Sequence, residues 1–142
     1  MKTVNVIYIN GGPMNRGGIE SFMMNYFRRI DRERVQIDFV VHGYEKGAYD
    51  EEIEQRGGKI YHVPIKSKHP LAYKNELEKI FSNGRYSIVH SHADAMSCWI
   101  LKIAKQCYRF SKRESCEYCK ERTSGSLLLC ENAHISICIK PI

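Results

Sequence analysis

The sequence predicts an α/β fold, a parallel sheet with alternating helices, and three observations carry that prediction. Four short apolar runs, Val4–Ile9, Val35–Val41, Lys59–Val63 and Tyr86–His90, are separated by stretches with helical spacing. The two longest runs are β-branched and continuous, as in strands covered on both faces. A glycine-rich stretch, from Gly11-Gly12 to Gly17-Gly18, joins the first strand to the first helix. Strand and helix alternating four times over argue for right-handed crossovers within one sheet, half or more of a doubly wound architecture.

Each element has its own justification. In the first helix, Ile19–Ile30, residues Phe22 and Tyr26, and Met23, Phe27 and Ile30, recur at helical intervals. Core packing accounts for Phe22, Met23, Tyr26 and Phe27 more simply than a membrane-facing surface does. The second helix, Tyr49–Gln55, is short and acidic, and Gly57-Gly58 supplies its stop. The third, Leu71–Phe81, follows Pro70 at a first-turn position and ends at Asn83-Gly84. The fourth, Ala93–Cys107, carries Met96, Trp99, Ile100, Ile103 and Ala104. After Cys107 the texture changes. Tyr108–Gly125 is polar without an apolar period, and only Leu127–Cys130 and Ile135–Ile139 are apolar again. The division is therefore residues 1–107 as an α/β domain and 108–142 as a Cys-rich tail with no assigned structure.

A chain of 142 residues is long enough to bury one core. Its net charge of +6 suits anionic substrates or an anionic membrane surface, and is too diffuse to argue for nucleic acid. No apolar run approaches the roughly 18–20 residues that span a bilayer. The start, Val4 to Ile9, is too short and interrupted for a signal-peptide core. The expected location is cytoplasmic, with peripheral contact at the inner face of the membrane as an extension. All six cysteines lie between Cys98 and Cys138, a distribution unlike a disulfide scaffold.

In order and spacing, several segments resemble the N-terminal domain of GT-B fold, family-4-type retaining glycosyltransferases. They are Gly17-Gly18-Ile19-Glu20-Ser21-Phe22 with Asn25, Arg29-Ile30-Asp31, Ile37-Asp38-Phe39-Val40, Gly47-Ala48-Tyr49 leading into Glu52-Ile53, Gly57-Gly58-Lys59-Ile60-Tyr61, and Ile88-Val89-His90-Ser91-His92. The resemblance covers about residues 1–107 and is nearest to enzymes that build capsular or other cell-surface glycans. It implies a Rossmann-like acceptor-side half. A complete relative would transfer a hexosyl group from a nucleotide-sugar to a glycan or lipid-linked acceptor, without a metal cofactor. Gly17 and Gly18 would then lie beside the donor diphosphate and the acceptor. The family's second histidine motif and its whole donor domain have no counterpart here. The expectation is that 108–142 replaces the true continuation, as a frameshift would, and that the chain alone is inactive.

Each candidate residue also has a plainer reading. The glycine loop matches neither the P-loop nor the dinucleotide fingerprint; its plain reading is a strand-to-helix connection that needs positive φ. Arg16 would clamp an anion, or be solvated. Glu20 would favour the helix dipole, or fix the glycine loop. His90 and His92 point to one side of a strand end, where they would hydrogen-bond at a cleft edge with Asp94 as partner or helix cap. Lys66-Ser67-Lys68-His69-Pro70 with Lys74 is a solvated basic loop or a contact for phosphate-bearing acceptors.

Cys116-x-x-Cys119, with Cys130, His134 and Cys138, has the grammar of a zinc site. That pattern defines the alternative function, a small zinc-binding or partner-binding interaction module. A non-catalytic subunit would instead expose the sheet edge beyond the fourth strand and associate through it. An inert gene fragment is the third reading.

Overall fold

The structure, a computed structural model, describes residues 3–82, 86–93, 97–113 and 135–138, with side chains only as far as 107. Its elements are β1 (Val4–Asn10), α1 (Gly18–Arg29), β2 (Val35–His42), α2 (Asp50–Gln55), β3 (Ile60–Val63), α3 (Pro70–Ser82), β4 (Ile88–His92), α4 (Ser97–Arg113) and β5 (Ile135–Cys138). They form one sheet of order β3-β2-β1-β4-β5. The first four strands run parallel, with Tyr8 level with Phe39 on one side and with His90 on the other. This is the predicted α/β, Rossmann-like arrangement, with strand order reversing between β1 and β4.

Alternation along the buried strands divides the core in two. Val6, Ile37, Phe39 and Val41 face Met23, Met24 and Phe27 of α1 and Ile53 of α2. Ile7, Ile9, Val40 and Val89 face Tyr73, Leu77 and Ile80 of α3 and Ile100 and Ile103 of α4. The apolar periods of the helices therefore cover opposite faces of the same strands. Of the four residues grouped together on α1, Met23 and Phe27 are buried, whereas Phe22 and Tyr26 are about half exposed. The helix inserts one flank and leaves the other bare.

Three local devices fix the elements in place. Gly57 ends α2 at φ 82, its N–H donating to the Glu54 carbonyl while the Gly58 N–H donates to that of Ile53. Both bonds satisfy carbonyls that the helix itself leaves open. Arg28 of α1 grips Glu52 of α2 through two bonds of 2.7 and 2.6 Å, and this pairing holds the Glu52 carboxyl below the ordinary carboxylate range. Fully buried Asp38 receives the Lys59 N–H at 3.0 Å and the Tyr86 hydroxyl at 2.7 Å. One carboxylate thus ties β2 to the starts of β3 and β4. Burial drives the Tyr86 hydroxyl far above its usual range, so it remains a donor.

The boundaries differ from expectation where a side chain turns inward early. Tyr86 precedes β4 because its hydroxyl is engaged with Asp38, and pairing with β1 starts at Ile88. The fourth helix begins at Ser97, whose hydroxyl lies 2.9 Å from that of Ser91, and continues past the supposed boundary at 107 to Arg113. The edge of β4, which the subunit reading would leave open, is paired with antiparallel β5, Ser91 level with Ile135. Part of the apolar Ile135–Ile139 run satisfies the backbone groups that β4 would otherwise present outward. Asn83, Gly84, Asp94 and Met96 lie outside the described residues. Among the described residues no helix is long and apolar enough to cross a membrane.

Replacing Tyr86 with Phe removes a donor from a buried carboxylate while keeping the ring. Urea unfolding should show Tyr86→Phe destabilised by about 1–3 kcal/mol. A change below a few tenths would mean that Asp38 does not bind the strands together.

Candidate functional site

The site lies beyond the carboxyl ends of the parallel strands, at the reversal of strand order, where open α/β sheets bind ligands. Asn10 and His92, level with each other, end β1 and β4 there. Residues 11–17 then cross to α1.

The loop is held at its midpoint. The Met14 side chain is fully buried in the core beneath α1 and α2. Its carbonyl accepts the Tyr49 N–H at 2.9 Å, and the Asn15 side-chain oxygen accepts the Ala48 N–H at 3.2 Å. Gly47 is needed for this contact, since a Cβ there would stand 2.6 Å from the Met14 nitrogen and 2.7 Å from its oxygen. The Asp50 carboxylate closes the second loop by accepting the Gly47 N–H at 2.9 Å. Gly47-Ala48-Tyr49 is therefore the mould in which the glycine loop sits.

Glu20 fixes the loop from the other side. Its carboxylate accepts the Asn10 side-chain N–H at 2.9 Å, and that same amide donates to the Gly12 carbonyl at 3.2 Å. The carboxylate also rests where a Cβ on Gly17 would be, so Gly17 lets Glu20 fold back over the first turn. Gly17 caps α1 without a side-chain bond, leaving first-turn N–H groups open to a ligand.

The glycines are not there for backbone conformation. Among the described residues only Gly43 and Gly57 have positive φ, so the strand-to-helix connection is made without the positive φ expected of it. Nor does packing demand them all. A Cβ on Gly12 or Gly18 would meet nothing within 4 Å. Arg16, Gly17 and Gly18 are exposed together at the mouth of the loop.

His90 and His92 do share one face, their ring centroids 4.2 Å apart. Tyr8 meets His90 edge-on at 5.0 Å, and Phe22 of α1 lies 6.3 Å from His92. His92 is buried and His90 half-buried, so the pair forms part of an aromatic wall beside the loop. Burial raises the Tyr8 hydroxyl above its usual range, keeping it protonated. The basic segment splits as well. Lys66 lies 5.4 Å over the Trp99 ring, Lys74 reaches Glu78 at 3.4 Å, and Pro70 opens α3.

Sequence reasoning missed Asn10 and Met14. Asn10 acts through its side-chain amide on Gly12 and Glu20, and Met14 through a contact with a distant loop; neither belongs to a pattern. For the metal reading, Cys116, Cys119, Cys130 and His134 lie outside the described residues, and of Cys138 only the backbone is described. No group of three or more His, Cys, Asp or Glu side chains placed to hold a metal occurs among the described residues.

This arrangement is a strand–loop–helix candidate site on an α/β sheet. The chain is similar to a Bacillus subtilis (strain 168) protein named "Putative glycosyltransferase EpsF", 39% identical over 102 residues. The match covers 70% of this chain and 26% of that protein, so the chain spans about a quarter of the relative's length. No family model matches the chain. No solved structure matches it either.

If Gly47 moulds the loop, Gly47→Ala should push the Met14 backbone aside and cost about 1–3 kcal/mol, as overpacking does. Urea unfolding gives the cost, and shifts of the Gly17 and Gly18 amide resonances show the displacement. Unmoved resonances would place the mould elsewhere.

Proposed function

We propose that this chain is the acceptor-side part of a GT-B, family-4-type retaining glycosyltransferase, in which the glycine loop receives the diphosphate of a nucleotide-sugar. The observation that carries the reading is the open space at Gly12 and Gly18, where neither φ nor packing calls for glycine. A ligand approaching the backbone does call for it. The similarity to EpsF supports sugar transfer as the chemistry.

In this reading the open N–H groups at Gly17 and Gly18 hold phosphate oxygens, assisted by the dipole of α1. Arg16 adds a mobile cation at the loop mouth. Glu20 and Asn10 hold the loop rather than the ligand. His90 and His92 line the acceptor side of the cleft, close to the sugar that is transferred. As the sugar leaves the diphosphate, positive groups already in place stabilise the departing charge without a metal. The acceptor is a cell-surface glycan or lipid-linked saccharide. Exposed Lys68 and the bare flank of α1, Ile19, Phe22 and Tyr26, would meet anionic headgroups at the inner face of the membrane.

Gly18→Ala separates fold from ligand. Ala at this helix start should leave the protein unchanged or more stable by about 0.4–1 kcal/mol. It should weaken inorganic pyrophosphate binding, measured by calorimetry, by about tenfold, because the Cβ occupies the ligand's space. Equal binding by both proteins sinks the loop assignment. The 142-residue protein alone should show no transfer from any nucleotide-sugar, and detectable turnover would show that it is more than an acceptor-side part.

A further inference from the structure

Glu20 carries an unneutralised charge into the place where the glycine loop meets α1. It is the third residue of that helix, half-buried, and its Oε1 accepts the Asn10 side-chain N–H at 2.9 Å. The Asn10 amide donates its other hydrogen to the Gly12 carbonyl, so both of its donors are engaged. The Glu20 Oε2 rests against Gly17, on the side where a side chain would otherwise stand. Among the described residues the neutral Asn10 amide is the hydrogen-bond partner of this carboxylate, and no Lys, Arg or His pairs with it. Glu51, Glu52, Glu76 and Glu78, by contrast, each meet a Lys or Arg at 3.4 Å or closer.

Helix formation explains an acidic residue here but not its pose. A carboxylate in the first turn favours the helix dipole. A capping-box glutamate would go further and accept the N–H of the residue before the helix. Glu20 makes no such bond to Gly17. Ser21 is the first residue whose N–H reaches a helix carbonyl, that of Gly17 at 3.0 Å. The earlier N–H groups of the turn thus stay open with a full negative charge beside them. An anion entering the loop gains from those groups and is opposed by Glu20, more strongly the more charge it brings.

We infer that Glu20 is a specificity-determining residue of the glycine loop, its carboxylate admitting a diphosphate esterified at both ends, as in a nucleotide-sugar, and disfavouring free diphosphates. A phosphoryl group inside such a diester has no second proton to lose, whereas a terminal one loses it at about pH 6. The extra charge of the free form faces Glu20. A diphosphate that has parted with its sugar is then the weaker ligand, so the same charge favours its release. This inference rests on the loop being the phosphate site proposed above.

Calorimetry on the 142-residue protein at pH 7.5 tests it, with inorganic pyrophosphate and its symmetrical dimethyl ester as probes. Glu20→Gln keeps an oxygen for the Asn10 N–H and removes the charge. It should bind pyrophosphate about threefold to tenfold more tightly than wild type, with a smaller gain for the dimethyl ester. Glu33 is exposed at the opposite end of the sheet, before β2. Glu33→Gln makes the same change in net charge there and should alter neither affinity. Unmoved Gly17 and Gly18 amide resonances in Glu20→Gln would show the loop intact. If they move, the ratio of the two affinities decides, since lost shape weakens both probes alike and lost charge favours pyrophosphate. A ratio unchanged in Glu20→Gln, or changed equally in Glu33→Gln, overturns the inference and leaves the loop assignment standing. Binding of neither probe by wild type or variant overturns the phosphate reading, and the inference with it.

Discussion

Burial of the Met14 side chain under α1 and α2 turns a glycine-rich connection into a shaped one. The eight residues 11–18, with two glycines at each end, have much conformational freedom to lose on ordering. One fully buried thioether at their centre, with the adjoining carbonyl held by Tyr49, ties that freedom to the packing of the core. Everything at the mouth of the site follows from the anchor. Gly47 must lack a side chain, α2 must start where it does, and the grip of Arg28 on Glu52 keeps α2 against α1. The short second helix is a buttress for the loop, and its own contribution to the core is essentially Ile53.

The two faces of the sheet divide the work. On the α1 side, Asn10 and Glu20 hold the amino-terminal turn of the helix, while Tyr8, Phe22, His90 and His92 build an aromatic wall beside it. On the α3 side, His42, Tyr73 and Trp99 form a run of ring contacts that starts at the end of β2. Asp38 binds three strands at the opposite end of the sheet. Polar groups that fix strand entry and polar groups that fix the loop are thus separate sets of residues. Changes at one end need not disturb the other.

Much of this was legible in the residues, and the gaps have physical causes. The strands and helices follow from period, and Pro70 and Gly57 stand where helix-end chemistry requires them. The glycine loop was legible as a place but not as a shape, because its glycines look like turn formers and none has positive φ. A lone Met in a polar loop and a lone Asn after a strand carry no periodic signal, so Met14 and Asn10 emerge only from contacts. The contact between His42 and Tyr73 was hidden because the two lie 31 residues apart. Phe22 and Met23, adjacent in sequence, point to different surroundings, since helical spacing alone does not say how wide the buried stripe is. Residues Ile135–Cys138 could be seen as apolar, but their antiparallel direction beside β4 depends on a return path that composition does not encode.

Trp99 is the one tryptophan of the chain, and its position gives the molecule an optical property of its own. Its indole is stacked on Tyr73 on one side and has the Lys66 ammonium over the ring. Tyr73 in turn touches His42 at the end of β2. Ultraviolet emission from the unlabelled protein therefore originates, apart from the tyrosines, at a single spot where α3 meets α4. The chain carries a built-in gauge of the packing between α3, α4 and the end of β2 that needs neither a dye nor a substituted residue.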